Sequence, residues 1–240
     1  MKRLDIAGHG LHRDQMTPEV RALAEAADIV FFLVSDAVVD MVPNAERVDW
    51  RPMYRNARPY AEIYGEMVDS VFRQGSWERG LILVEGNAAF FTFGVVPQVM
   101  KEARRRRWEV HMHASLSCFD AILTDLELQV ARHGLQLVDG AAMAAGKHPI
   151  HGAMGCLILQ PSLWSGPETF VQPPPAHPEA YRGLSERLLE TYPADHPLFI
   201  VESAMDPQAS SLIVRSTVGT LPQHAAHISH FASIYLPPVG

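Results

Sequence analysis

The chain has 240 residues and a formal net charge of −7, from 20 basic against 27 acidic residues. That length makes one large or two small domains, and the acidic balance argues against a general nucleic-acid binder. Two cysteines, Cys118 and Cys156, are too few for a disulfide framework or a zinc site and fit a reducing compartment. The opening MKRLDIAGHG is too poor in apolar residues for a signal peptide, and no later run approaches about 18 apolar residues, so a cytoplasmic location and no membrane partner are expected.

Leu4–Ala7 reads as a short strand that ends in Gly8-His9-Gly10. Thr17 and Pro18 read as the N-cap and first position of a helix through VRALAEAA. Ile29–Val34 is a buried strand, Asp36–Met41 helical, and Glu46–Trp50 a short strand. Pro59–Gln74 has helical spacing, with Ile63, Met67, Val71 and Phe72 on one face, and Gly75 ends it. Leu81–Val84 is a strand, Val95–Arg105 a helix, Trp108–His113 a strand and Ser117–Leu126 a helix. This alternation predicts an α/β layer with parallel strands. Beyond it, Leu135–Val138, Ile150–Leu159 and Leu198–Ser203 read as strands around one clear helix, Pro178–Thr191. The late strands Ser211–Val214 and Ser229–Leu236 have no evident helix between them, which predicts antiparallel pairing. The expected organisation is an α/β domain over residues 1–118 with a mainly parallel sheet and a second over 119–240 with a mixed sheet, divided within 115–146.

The segment Leu81–Phe91, LILVEGNAAFF, carries most of the functional signal. Open α/β sheets bind ligands beyond the carboxyl ends of their strands. Here that end holds Glu85, Gly86 and Asn87, then Ala88, Ala89, Phe90 and Phe91. One glycine, no lysine and an acid exclude a phosphate loop; the mixture suits a small molecule with a polar and an apolar end. Gly8-His9-Gly10 is a second such turn, equally consistent with ordinary chain reversal. Tyr54, Tyr60 and Tyr64 lie among Arg55 and Arg58, and a neighbouring cation favours phenolate; a domain or subunit interface would use the same residues. His111 with His113, and His224, His227 and His230, have spacings open to metal, but no metal site is expected because the late cluster lacks a carboxylate or thiol partner. Arg104–Arg107 reads as a solvated helix end or an anion-binding run. Cys118 at a helix start reads as a packed small residue, or as a thiol of lowered pKa.

With these features in order, the chain resembles the tetrapyrrole-methylase-fold methyltransferases that use S-adenosylmethionine. Within that fold it resembles the borosin peptide backbone α-N-methyltransferases, of the stand-alone bacterial kind. The likeness runs through LDIAGHGL, AADIVFFLVSD, YAEIYGEMVDSVFRQG, LVEGNAAFFTFGVVPQVMKEAR, SLSCFDAILTDLEL, HPIHGAMG, RLLETYPADHPLFIVESA and SIYLPP. It implies two α/β domains with a cofactor cleft between them, and S-adenosylhomocysteine as product. The cofactor positions it implies are Glu85, Gly86, Asn87, Phe90, Phe91, Ser117, Cys118, Ala153, Met154, Ala204, Ala232 and Ser233. The reaction positions are Tyr54, Tyr64, Tyr60, Arg58 and Glu85. Where the family loop reads tyrosine-glycine-histidine-proline-glycine-valine-phenylalanine, this chain has Glu85 for the tyrosine and Asn87 for the histidine. Tyr60 stands where the family has an arginine, with Arg58 two positions earlier, and Ala114-Ser115 replaces a proline-glycine. The implied activity is α-N-methylation of a separate precursor peptide, since no substrate tail follows, by a homodimer. The alternatives are the same fold acting on another small molecule, or a non-catalytic cofactor-binding protein.

Overall fold

The structure, a computed structural model, describes all residues except Met1, Pro43, Asn44, Thr92, Phe93, Lys147 and Pro167, and leaves the side chains of Asp36 and Phe91 undescribed. The chain divides into two units, Met1–Ala121 with Met205–Gln208, and Ile122–Ala204 with Ala209–Gly240.

Unit one contains five parallel strands: β1 (Arg3–Gly8), β2 (Ile29–Leu33), β3 (Glu46–Asp49), β4 (Arg79–Val84) and β5 (Glu109–Met112), in the order β3-β2-β4-β1-β5. The three central strands are largely apolar because helices cover both faces. On one face Ala7, Val30, Phe32, Leu81 and Leu83 pack with Val20 and Ala24 of helix α1 (Pro18–Ala26). Thr17 caps that helix by accepting the Val20 N–H at 3.2 Å. On the other face Phe31 lies against Trp50 and Trp77, with ring centroids 6.0 and 6.4 Å away. The indole of Trp50 donates to Ser70 Oγ at 2.9 Å, which ties the sheet to helix α2 (Tyr60–Arg73). Helix α3 (Val96–Arg105) follows β4.

The strand order has a consequence for function. β1 and β4 are neighbours, but the chain leaves β1 past β4 to reach β2, and leaves β4 past β1 to reach β5. Adjacent connections that diverge in this way open a crevice beyond the strand ends. Gly8-His9-Gly10 and Glu85-Gly86-Asn87 stand at those ends.

Helix α4 (Cys118–Asp125) carries the chain across the division. Unit two has β6 (Leu135–Asp139), β7 (Gly155–Leu159), β8 (Pro197–Glu202), β9 (Leu212–Thr217) and β10 (Ser233–Leu236), in the order β9-β8-β10-β7-β6. Only β6 and β7 pair in parallel; the late strands pair antiparallel, β9 and β10 each with β8 and β10 also with β7. Helix α5 (Glu179–Leu189) packs Tyr181, Leu184 and Leu188 on Ile158, Leu198, Ile200 and Ile234.

Three expectations change here. Ile150–Leu159 is a strand only from Gly155, because the Gln136 side chain takes both backbone groups of His151, donating to its O at 2.7 Å and accepting its N–H at 3.1 Å. Ser229–Leu236 is a strand only from Ser233. The connection between β9 and β10 is not helix-free: Val218–His227 forms 3-10 turns, held by Thr217 and Thr220 in a reciprocal cap.

Candidate functional site

The two strand-end turns of unit one are joined by backbone. Gly86 N–H donates to Gly10 O at 2.8 Å, and Gly10 N–H to Gly86 O at 3.4 Å. Gly10 and Gly86 have φ of +85° and +69°, which glycine alone adopts freely. A Cβ on Gly8 would stand 1.8 Å from Gly86 O, so this approach also requires glycine. Asn87 holds the next layer. Its Oδ1 accepts the Ala89 N–H at 2.9 Å, starting the helical turn Ala88–Phe91, and its Nδ2 donates to Ser115 O at 2.7 Å. Phe90 packs on Phe119, with ring centroids 5.9 Å apart. The Phe91 side chain lies outside what the structure describes.

Polar groups that the protein leaves unsatisfied converge on these turns. His9 is buried, and neither ring nitrogen has a hydrogen-bond partner among the described residues; the same holds for His12 Nδ1 and Ser115 Oγ. Burial pushes His9 down to about 4, only partly offset by backbone groups of His12 and His9, so its imidazole is neutral. Buried polar atoms are normally paired, so four near one strand-end crevice mark a place for a polar ligand or ordered water. Residue type alone does not select His9 as a site; its only signal in the sequence is a polar side chain between two glycines at a strand end.

Glu85 is half-buried and makes no hydrogen bond or ion pair among the described residues. Burial pushes its carboxyl up to about 7, with Arg51 pulling the other way. From its ordinary 4.5 to about 7, the folded chain holds a proton that the unfolded chain releases. Stability contributed by this group is therefore full below that window and falls as pH rises through it. Glu85→Gln stays neutral and is expected to flatten this fall, leaving the variant about 2 kcal/mol more stable above the window. Urea melts at stepped pH check it; parallel curves for the two proteins would refute the assignment.

The tyrosines come together within unit one. Tyr60 and Tyr64 lie ring to ring at 5.7 Å on the first turns of α2, and the phenols of Tyr54 and Tyr64 share a hydrogen bond. Their ionisation runs opposite to the phenolate expectation. Burial pushes Tyr54 up, reinforced by Tyr64 and then Tyr60, and pushes Tyr60 up to about 12. Burial outweighs the expected cation because Arg58 is engaged elsewhere, with Glu66 at 2.5 Å and Glu62 at 3.7 Å. Tyr54 and Tyr60 are therefore neutral hydroxyls near pH 7, able to donate hydrogen bonds.

At the head of α4, Ser117 is buried and its N–H and Oγ both donate to Asp120 Oδ2, at 2.7 and 2.8 Å. Cys118 is not activated by the helix start: burial, then Asp120, pushes its thiol up to about 12. Among the described residues no group of three or more His, Cys, Asp or Glu could hold a metal. His111 is paired with Glu109 at 2.7 Å, and His113 with Asp5 and Glu19 at 2.8 and 2.9 Å. Among the described residues, no helix is long and apolar enough to cross a membrane.

In unit two, Ala204, Ala232 and Ser233 share one end of the sheet. Ser233 pairs with Val201 and Leu159, Ala204 N–H donates to Ser211 Oγ at 3.0 Å, and Ala232 N–H to Ser229 Oγ at 3.1 Å. Ala153 and Met154 precede β7 at the opposite end, where Met154 packs on Gly134. Register sets these two a strand's length from the other three.

No protein-family model matches the chain. Among curated proteins it is 24% identical over 98% of its length to a methyltransferase/type III borosin cyclic peptide precursor of Anomoporia bombycina. It is 23% identical over 98% to the methyltransferase/lentinulin A precursor of Lentinula edodes, and equally to the omphalotin A counterpart of Omphalotus olearius. The chain spans 28% of the first of these proteins and 57% of the other two. Among solved structures, a uroporphyrin-III C-methyltransferase of Thermus thermophilus superposes with a TM-score of 0.68 at 18% identity, covering 98% of this chain and 92% of that one. The T. thermophilus enzyme complexed with S-adenosylhomocysteine gives 0.65 at 16% identity, covering 98% and 97%. A cobalt precorrin-4 methyltransferase gives 0.65 at 17%, covering 98% and 94%. The chain therefore has the tetrapyrrole methylase fold, and its sequence is similar over 98% of its length to proteins named as methyltransferases joined to cyclic peptide precursors.

Proposed function

We propose that this protein binds S-adenosylmethionine and methylates backbone amide nitrogens of a separate precursor peptide. The observation that carries the peptide reading is the Tyr54–Tyr64 hydroxyl pair, half-buried and hydrogen-bonded, with Tyr54 held neutral. The curated relatives are named as methyltransferases joined to peptide precursors, which supports the same reading.

The residues fit the cofactor on one structural ground. The unsatisfied atoms of His9, His12 and Ser115 stand where a polar ligand would meet them. In unit one Glu85, Gly86, Asn87, Phe90, Ser117 and Cys118 would hold it, largely through backbone. S-adenosylmethionine supplies an activated methyl group on a sulfonium. The chain's own part is to position the amide and handle its proton. An amide nitrogen is a poor nucleophile until charge moves onto its carbonyl oxygen. The Tyr54–Tyr64 hydroxyl pair can donate a hydrogen bond to that oxygen as charge develops. Glu85, with its carboxyl near 7, is ionised enough at neutral pH to accept the amide proton. Arg58 then orients α2 through Glu66 and Glu62. A homodimer belongs to the same proposal.

Calorimetry with S-adenosylhomocysteine tests the first step, with binding in the micromolar range expected. Incubation with S-adenosylmethionine and peptides encoded beside the gene, followed by mass spectrometry, tests the second. Binding without a mass gain of one methylene on any such peptide would leave a methyltransferase for another substrate. The Glu85 carboxyl, with no ion pair among the described residues, favours an amine-bearing molecule in that case. Absence of binding would remove both enzyme readings.

A further inference from the structure

Helix α3 and the edge strand β5 border an open groove of about 610 Å3 that lies wholly within unit one. Its apolar surface comes from Ala88, Ala89, Met100 and Met112, and its charged rim from Lys101 and Arg104. The basic run at the end of α3 is not uniform. Arg105 and Arg106 are both bound to Glu102, each at 2.7 Å. The side chains of Lys101 and Arg104 make no ion pair or hydrogen bond among the described residues. Glu109, the nearest acid on β5, is taken by His111 at 2.7 Å. A chain of net charge −7 therefore presents two uncommitted cations beside an apolar trough.

β5 adds a second property. It pairs with β1 alone and ends the sheet, so its outer backbone groups have no strand partner among the described residues. An open strand edge beside an apolar groove is a template for an extended peptide. A lipid chain would use the trough but not the edge.

Resting on the reading of the substrate as a peptide, we propose that this groove docks an extended segment of it, with an aliphatic side chain on Met100 and Met112 and a carboxylate on Lys101 and Arg104. The geometry also sets a spacing. From Val96 to Arg104, α3 rises about 12 Å, which an extended chain covers in about four residues. Ala88 and Ala89, which also line the groove, directly follow Asn87 in the chain. A carboxylate seated at Arg104 thus lies about four residues along an extended peptide from a side chain at Val96.

Fluorescence anisotropy with two labelled synthetic peptides tests this. One alternates leucine with glutamate; the other carries lysine in place of each glutamate. The acidic peptide is expected to bind about tenfold tighter, with the difference shrinking from about 50 to about 300 mM salt. Lys101→Glu with Arg104→Glu should remove the preference, and Arg105→Glu should keep it. If the double variant melts early, Met112→Asp on the opposite wall should weaken the acidic peptide by a similar factor. Equal binding of the two peptides, or a preference that survives both variants, overturns the proposal. So does co-sedimentation with phosphatidylglycerol vesicles in place of peptide binding. S-adenosylhomocysteine calorimetry on the same samples separates the two failures: cofactor binding without peptide preference refutes the groove alone, and no cofactor binding refutes the enzyme.

Discussion

Replacing Tyr64 by phenylalanine is expected to slow single-turnover methyl transfer by about a hundredfold to a thousandfold, the usual cost of one lost oxyanion donor. Cofactor affinity should change by less than about threefold. The substitution removes one hydroxyl and keeps the ring. Ring packing matters here, because a Cβ on Gly94 would stand only 2.2 Å from the Tyr64 ring. Tyr54→Phe removes the partner of the same hydrogen bond. The two variants should be strongly non-additive, since either one breaks the pair. A rapid-quench assay read by mass spectrometry measures the rate, and calorimetry the affinity. A Tyr64→Phe enzyme of unchanged rate would remove the tyrosine pair from the mechanism.

Gly8→Ala is expected to destabilise the fold by about 3 kcal/mol or more and to lower the melting temperature by roughly 6–12 °C. The added Cβ would meet Gly86 O at 1.8 Å and Ser115 Oγ at 2.7 Å. Gly86 O, the nearer of the two, cannot retreat easily. Gly86 is bonded through both its backbone N–H and its O to Gly10, and the Ser115 carbonyl is held by Asn87. Calorimetric melting of Gly8→Ala beside Gly65→Ala makes the comparison. Gly65 lies within helix α2 with nothing in contact range of a new Cβ, so alanine there should stabilise by about 0.5–1 kcal/mol. Equal melting of the two variants would mean that the strand ends are free to move apart.

The same glycines show what a sequence can reveal. The central strands of unit one were legible because an unbroken apolar run such as Leu81–Val84, set between amphipathic helices, suits a strand covered on both faces. The later half was harder. The 3-10 turns over Val218–His227 carry Gly219 and Pro222, which break helical spacing, and their start depends on a Thr217–Thr220 cap. Ile150–Leu159 is apolar at both ends, but Gln136, 15 positions earlier in the chain, claims the backbone of His151 and keeps it out of the ladder. No local pattern announces such a contact. At the site, residue type pointed to Glu85 and the tyrosines. Burial then decided their ionisation, and burial depends on tertiary packing. Cys118 illustrates the cost of omitting it: a helix start lowers a thiol, yet enclosure and Asp120 raise this one.

One side chain links two otherwise separate loops. Asn87 accepts from Ala89 on the turn after β4 and donates to Ser115 on the segment after β5. Neither loop can swing outward alone without breaking that amide's hydrogen bonds. The two loops over these strand ends are therefore coupled, and moving one strains the other.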